Sequence, residues 1–198
     1  MSRLIETIKL SDGEFLNLSY HERRMRASLR LVYGAEKEIE LERALRGSYY
    51  PSSGLYRCRV VYDLHHWEVG YWPYSRRRVE SLKVVADDSI SYPVKFEDRN
   101  AINTLLEQRA ECDDILIIKE GWVTDCSFAN IAFRRGTEWF TPDTPLLQGT
   151  MRQKLLEHGM IRPIGIRVRD IPTFDTFRLV NAMLEFESPE IAVTRIVL

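Results

Sequence analysis

The order of apolar and polar positions predicts strands at both ends of the chain with short helices between them. Leu4-Ile5-Glu6-Thr7-Ile8-Lys9-Leu10 alternates as a strand does. Ser11-Asp12-Gly13 supplies turn chemistry, and Glu14 to Leu18 reads as the returning strand. Ser19 and Glu22 have capping-box spacing at the head of a helix striped with Met25, Leu29 and Val32 and ended by Gly34. A second helix is expected over 36–45, stopped at Gly47. Strands follow at 55–62, 66–71 and 79–85, and 87–92 reads as a connection. The second half opens with a helix near 97–109, with Ile102, Leu105 and Leu106 on one face. Strand candidates at 114–119, 122–125 and 130–134 are separated by Glu120-Gly121 and Arg135-Gly136. A short helix is expected over 151–158, then strands at 161–168, 177–181 and 191–197. The reading is α+β in two parts, a small N-terminal domain over 1–88 and a larger C-terminal one over 93–198.

Composition narrows the class. A chain of 198 residues with 44% hydrophobic residues can build real cores. A formal net charge of -1 argues against a nucleic-acid partner. Arg76-Arg77-Arg78 therefore reads as a solvated run. Cys58, Cys112 and Cys126 are an odd set without CxxC spacing, which predicts neither a disulfide framework nor a zinc site and fits a reducing cytoplasm. His65-His66 is no metal pair, because adjacent strand residues point to opposite faces, and no metal is expected. Charges interrupt the apolar stretch at the N-terminus, against a signal peptide, and no uncharged run is long enough for a bilayer.

Three places could carry chemistry. In Pro145-Leu146-Leu147-Gln148-Gly149-Thr150-Met151-Arg152 a glycine precedes a helix start, where unpaired N–H groups and the helix dipole favour an anion; a plain glycine turn fits the same pattern. Asp125 closes a short strand among small and apolar residues, as a paired buried carboxylate or as a turn cap. Lys95 has apolar neighbours, and partial burial would favour its neutral, nucleophilic amine; a snorkelling surface lysine is the alternative.

Taken in order, these segments resemble the class IV family of pyridoxal-5'-phosphate (PLP) enzymes. Glu6-Thr7 with Asp12-Gly13 is similar to the family's early "F-E-T…D-G" strand pair, and His21-Glu22-Arg23-Arg24-Met25 to its "H-x-x-R-L" helix start. Lys95 with Asp98 and Arg99 resembles the "K-x-x-N-R" run around the cofactor lysine. Gly121 to Asp125, with Asn130-Ile131, resembles "G-x-V-T-E…N-I/L", the most specific of the motifs. Thr141-Pro142 with Leu147 to Gln153 resembles "T-P…L-x-G-I-M/T-R", and Asn181-Ala182-Met183 the lyase's "N-A-L" segment.

The resemblance implies a two-domain fold-type-IV architecture, like that of D-amino-acid aminotransferase, with a shortened N-terminal domain. It implies PLP held covalently by Lys95, a ring nitrogen paired with Asp125, and a phosphate bound by Arg24 and the amides of Thr150 and Met151. Leu147, Gly149, Asn181 and Ala182 complete the implied cofactor set, and Thr7, Tyr92 and Arg99 are implied substrate contacts. The family's glutamate is Asp125 here, one methylene shorter. The implied activity is that of aminodeoxychorismate lyase, favoured by Arg99, Met151-Arg152-Gln153 and Asn181-Ala182. A branched-chain or D-amino-acid aminotransferase is the rival, and a non-catalytic PLP-fold binding protein the alternative of another class. A cytoplasmic homodimer acting on a small amine is the implied setting, without nucleic acid or membrane.

Overall fold

A computed structural model describes residues 3–47 and 49–198. The chain divides into two compact units, one of residues 1–76 with 94–98, the other of 77–93 with 99–198. A single cut between residues 88 and 93 does not reproduce this division. The strand near 82–86 pairs inside the second unit, while 94–98 return to the first.

The first unit is a four-stranded antiparallel sheet with helices on one face. β1 (Leu4–Ser11) and β2 (Glu14–Phe15) form a hairpin whose turn places Asp12 and Gly13 at φ 48° and 82°. The Asp-Gly pair tolerates that left-handed geometry. β3 (Leu55–Tyr62) pairs with β1 along its whole length, and β4 (Trp67–Pro73) extends the sheet, giving the order β2-β1-β3-β4. Leu4, Ile8 and Leu10 alternate onto one face and join Met25, Leu29, Cys58 and Val60 in the core. A buried side chain of this kind stabilises by about 1.5–3 kcal/mol.

Two expectations change in α1 (Leu18–Tyr33) and α2 (Leu41–Arg46). The Ser19–Glu22 capping box does not form. α1 starts a residue earlier, behind Asn17 in the left-handed region, and Glu22 Oε1 instead accepts the amide of Leu41 at 2.8 Å. It thus satisfies an orphan donor of α2 rather than of its own helix. α2 has only six residues, since 36–40 run without helical structure.

The second unit holds two sheets. β5 (Leu82–Ala86), β6 (Asp114–Lys119) and β7 (Trp122–Cys126) are neighbours in one; α3 (Asn100–Leu106), shorter than the predicted 97–109, continues as a 3₁₀ turn over 107–109. β8 (Asn130–Arg135) and β9 (Glu138–Pro142) form a hairpin in the other. β9 has no counterpart in the sequence pattern. α4 (Thr150–Glu157) leads to β10 (Arg162–Ile164), β11 (Thr176–Val180), β12 (Ile191–Ala192) and β13 (Ile196–Val197). The predicted strands 161–168 and 191–197 are each cut short by a 3₁₀ turn. The sheet orders are β10-β9-β8-β11-β12 and β13-β5-β6-β7. Leu116, Val123, Ile131, Phe133, Phe177 and Leu179 fill the core between them. Among the described residues, no helix is long and apolar enough to cross a membrane, and no group of acids, histidines and cysteines could hold a metal.

Candidate active site

In the first unit, β1 and α1 bring Glu6, His21 and Arg24 together. Glu6 sits on the helix-facing side of β1 and is fully buried. Arg24 donates through Nε to Glu6 Oε1 at 2.9 Å and through Nη2 to Oε2 at 2.5 Å. His21 Nδ1 lies 2.6 Å from Oε2. Burial alone would raise the Glu6 carboxyl, but the Arg24 charge and the bond to His21 reverse this and hold it at about 2. Burial lowers the His21 pKa, and the charges of Arg24 and Lys95 add to it against the pull of Glu6. His21 is therefore neutral near pH 7. An ionised carboxylate only accepts, so Nδ1 carries the proton, leaving the buried Nε2 as an unpartnered acceptor. Glu6 takes two of the five guanidinium donors of Arg24 and fixes the plane of the rest.

Lys95 is tied to the same strand. Its carbonyl accepts the Ile5 amide at 2.9 Å, and Phe96 N donates to Val94 O at 2.9 Å, a tight turn centred on the lysine. Phe96 bridges to Leu4. Lys95 is half-buried, and Thr7, also half-buried, lies opposite Arg59 on β3.

In the second unit, β7, β8 and the loop before α4 converge on Asp125. Its carboxylate is 5% exposed. Asn130 Nδ2 donates to Oδ1 at 2.7 Å and the Leu147 amide to Oδ2 at 2.9 Å. Asn130 Nδ2 also donates to the Leu147 carbonyl at 2.9 Å, so both backbone groups of Leu147 buckle the loop to the strands. Burial raises Asp125 to about 6; the Leu147 amide, Asn130 and the Arg152 charge oppose it without cancelling it. The carboxylate keeps lone pairs beyond those two bonds.

Gly149 precedes α4 in extended conformation, with no side chain capping the helix. A Cβ there would lie 1.9 Å from Asn130 Oδ1, so only glycine lets the loop approach this closely. The first helical bond runs from Gln153 N to Gly149 O, which leaves the amides of Thr150 and Met151 outside the helical ladder. Thr150 and Met151 are buried. Beneath them Arg152, 4% exposed, donates to Pro142 O at 2.8 Å and Gln148 Oε1 at 3.0 Å and braces the loop from below.

The remaining predicted residues take supporting places. Asn181 Oδ1 accepts the amides of Met183 and Leu184 at 2.9 and 3.0 Å, and its Nδ2 donates to Phe128 O at 3.3 Å. Ala182 and Tyr92 are buried, and Arg99 donates to the carbonyl of Ser127 in the β7–β8 turn. Within the first unit the structure groups Arg24, Thr7 and Lys95 around β1. Within the second it groups Asp125, Leu147, Gly149, Thr150 and Met151. Sequence reasoning missed Asn130 and Arg152 as the braces of Asp125 and its loop, and Glu6 and His21 as the seat of Arg24. All four stand inside the quoted motifs, but nothing in their spacing discloses the partners.

Each unit, taken by itself, carries groups of kinds that suit PLP. An amine on a turn suits an aldehyde, and an uncapped helix start and a fixed arginine suit a phosphate. A buried carboxylate held by neutral donors, with acceptor capacity left, suits a protonated ring nitrogen.

Comparison with known proteins gives the family. Residues 99–187 match the family model described as amino-transferase class IV. A protein of Haemophilus influenzae named "Uncharacterized protein" is 42% identical over 92% of this chain and 98% of its own length. A protein of Schizosaccharomyces pombe named "Putative aminodeoxychorismate lyase" is 32% identical over 81% of this chain and 75% of its own. A crystal structure from Haemophilus somnus, described as a "putative 4-amino-4-deoxychorismate lyase", superposes with TM-score 0.88 at 39% identity, covering 94% of this chain and 98% of the other.

Proposed function

Because the chain belongs to the class IV aminotransferase family, whose members are PLP-dependent enzymes of fold type IV, we propose that it cleaves 4-amino-4-deoxychorismate to p-aminobenzoate and pyruvate. The observation that carries the reading is Asp125, a buried carboxylate held only by neutral donors beside an uncapped helix start. The lyase branch is supported by Met151-Arg152-Gln153 and Asn181-Ala182, and by the names of the relatives.

PLP supplies an electron-accepting ring when bound. Lys95 would hold it covalently through Nζ, Asp125 would keep its ring nitrogen protonated, and Arg24 with the amides of Thr150 and Met151 would take its phosphate. Asp125 is mostly ionised at neutral pH despite its raised value, which the ring nitrogen requires of it. The Glu6–His21 pair keeps Arg24 in one orientation before any ligand arrives, so little side-chain freedom is lost on binding. The freed Lys95 Nζ would take the proton from the amine-bearing ring carbon; the C–O bond to the enolpyruvyl group would break, and the enolpyruvate would take up a proton to become pyruvate.

The test is twofold. Purified protein given PLP should develop a visible absorption band that Lys95→Ala lacks. The loaded enzyme should release pyruvate and p-aminobenzoate in equal amounts from 4-amino-4-deoxychorismate. Keto-acid-dependent amino transfer without pyruvate release would make it an aminotransferase, and no uptake of PLP would leave a binding protein. The same reading takes the protein as a homodimer, for which sedimentation velocity should give twice the 23.2 kDa chain mass.

A further inference from the structure

The face of the first unit's sheet turned away from its core carries an arrangement that the fold does not explain. Lys9 on β1 stands directly opposite Arg57 on β3, and Arg57 directly opposite Trp72 on β4. One row across three strands thus reads cation, cation, aromatic ring. Like charges facing each other across a strand pair oppose sheet formation. The neighbouring row, Thr7–Arg59–Gly70, adds a third cation. At the other end of this face Glu97 pairs with Arg59 and Arg3, and Glu68 with Arg3. Arg57 is exposed and pairs with no carboxylate among the described residues; its contact is with the Trp72 ring, 5.7 Å from guanidinium to centroid.

Trp72 lies across Gly70. A Cβ at Gly70 would meet the indole at 2.3 Å, so the ring can rest on the sheet only because position 70 has no side chain. The indole remains 45% exposed. A flat aromatic shelf with a guanidinium at its edge and a second cation beside it is suited to a planar ring bearing a carboxylate: the ring stacks and the carboxylate meets the charges. β1, which contributes Lys9 and Thr7, also anchors Lys95 through Ile5.

We infer that the row Lys9–Arg57–Trp72 is a binding site for a carboxylate carried on a planar ring, the end of the substrate remote from its amine. This rests on the proposed function for the amine end, and it names the recognition element that the implied cofactor set lacks.

The probes are benzoate and its neutral counterpart benzamide, titrated calorimetrically into the protein after incubation with PLP. Benzoate should bind more tightly than benzamide. Arg57→Gln should weaken benzoate about tenfold, as expected for one charge-assisted bond, and leave benzamide unchanged. Gly70→Ala, which keeps every charge but lifts the indole, should weaken both. Under turnover Arg57→Gln should raise KM about tenfold with kcat nearly constant. Benzoate affinity equal in the parent and Arg57→Gln proteins, or equal affinities for benzoate and benzamide, would overturn the inference. The visible cofactor band separates the two proposals. A band present with Arg57-independent benzoate binding removes this site alone; Arg57-dependent binding with no band in the parent protein supports the site and removes the Lys95 reading.

Discussion

Glu6 in the first unit and Asp125 in the second are both buried carboxylates, and they are held in opposite ways. Glu6 is gripped by a guanidinium and an imidazole and stays ionised down to about 2. Asp125 is gripped by a side-chain amide and a backbone amide and is pushed up to about 6. The partners account for the difference, since both groups are buried. Arg24 already neutralises Glu6, which works as structure. Asp125 has hydrogen bonds from neutral donors that fix its position, and the nearby Arg152 charge offsets its burial only in part, so it is prepared to receive a counter-charge. Burying a charge without its counter-charge is unfavourable for folding and useful for binding.

Removing the charged grip should have the largest effect. Glu6→Ala removes the carboxylate that faces the mostly buried Arg24, and we expect a loss of about 3–5 kcal/mol in urea unfolding. The pH dependence has opposite sign for the two carboxylates. Glu6 lies below its ordinary 4.5, so its contribution is complete above that value and fades as pH falls toward 2. Asp125 lies above its ordinary 3.8, so the folded state binds the extra proton. Its contribution is therefore most favourable below about 4 and is lost as pH rises through 6, by on the order of 3 kcal/mol. In thermal melts of cofactor-free protein, Asp125→Asn should flatten the change between pH 4 and 6, while activity falls on the order of 10²–10³-fold. A slope unchanged in that variant would show that Asp125 is not the group titrating.

Smaller effects sharpen the contrast. Gly149→Ala pushes Asn130 off Asp125 without touching the carboxylate and should cost about 1–3 kcal/mol, with weaker PLP uptake in absorbance titrations. Glu22→Ala removes a partly exposed carboxylate that caps α2 and pairs with Arg26, and should cost about 1 kcal/mol in the same urea assay with no change in PLP uptake.

The strands were legible where alternation was clean, as in β1 and β3, and the Asp-Gly turn specified its hairpin. Legibility failed where long-range partners decide. The run 36–45 has helical composition, yet the cap that starts α2 comes from Glu22, nineteen residues away. β9 escaped notice because only its pairing with β8 and β10 makes it a strand. At the site, Lys95, Asp125 and Gly149 stood out because chemistry or backbone geometry restricts the residue type. Asn130 and Arg152 did not, since an amide or a guanidinium shows its role only when the acceptor is known. The division of the chain was hidden for a similar reason: residues 94–98 belong to the first unit through bonds to Arg3 and Ile5.

The most direct test of the contrast is the protonation state of the ring nitrogen, read by NMR of isotope-labelled PLP bound to the protein. The nitrogen should be protonated at neutral pH in the parent protein and unprotonated in Asp125→Ala, with Glu6→Gln behaving like the parent. An unprotonated nitrogen in the parent protein, or a protonated one that survives loss of Asp125, would contradict the account.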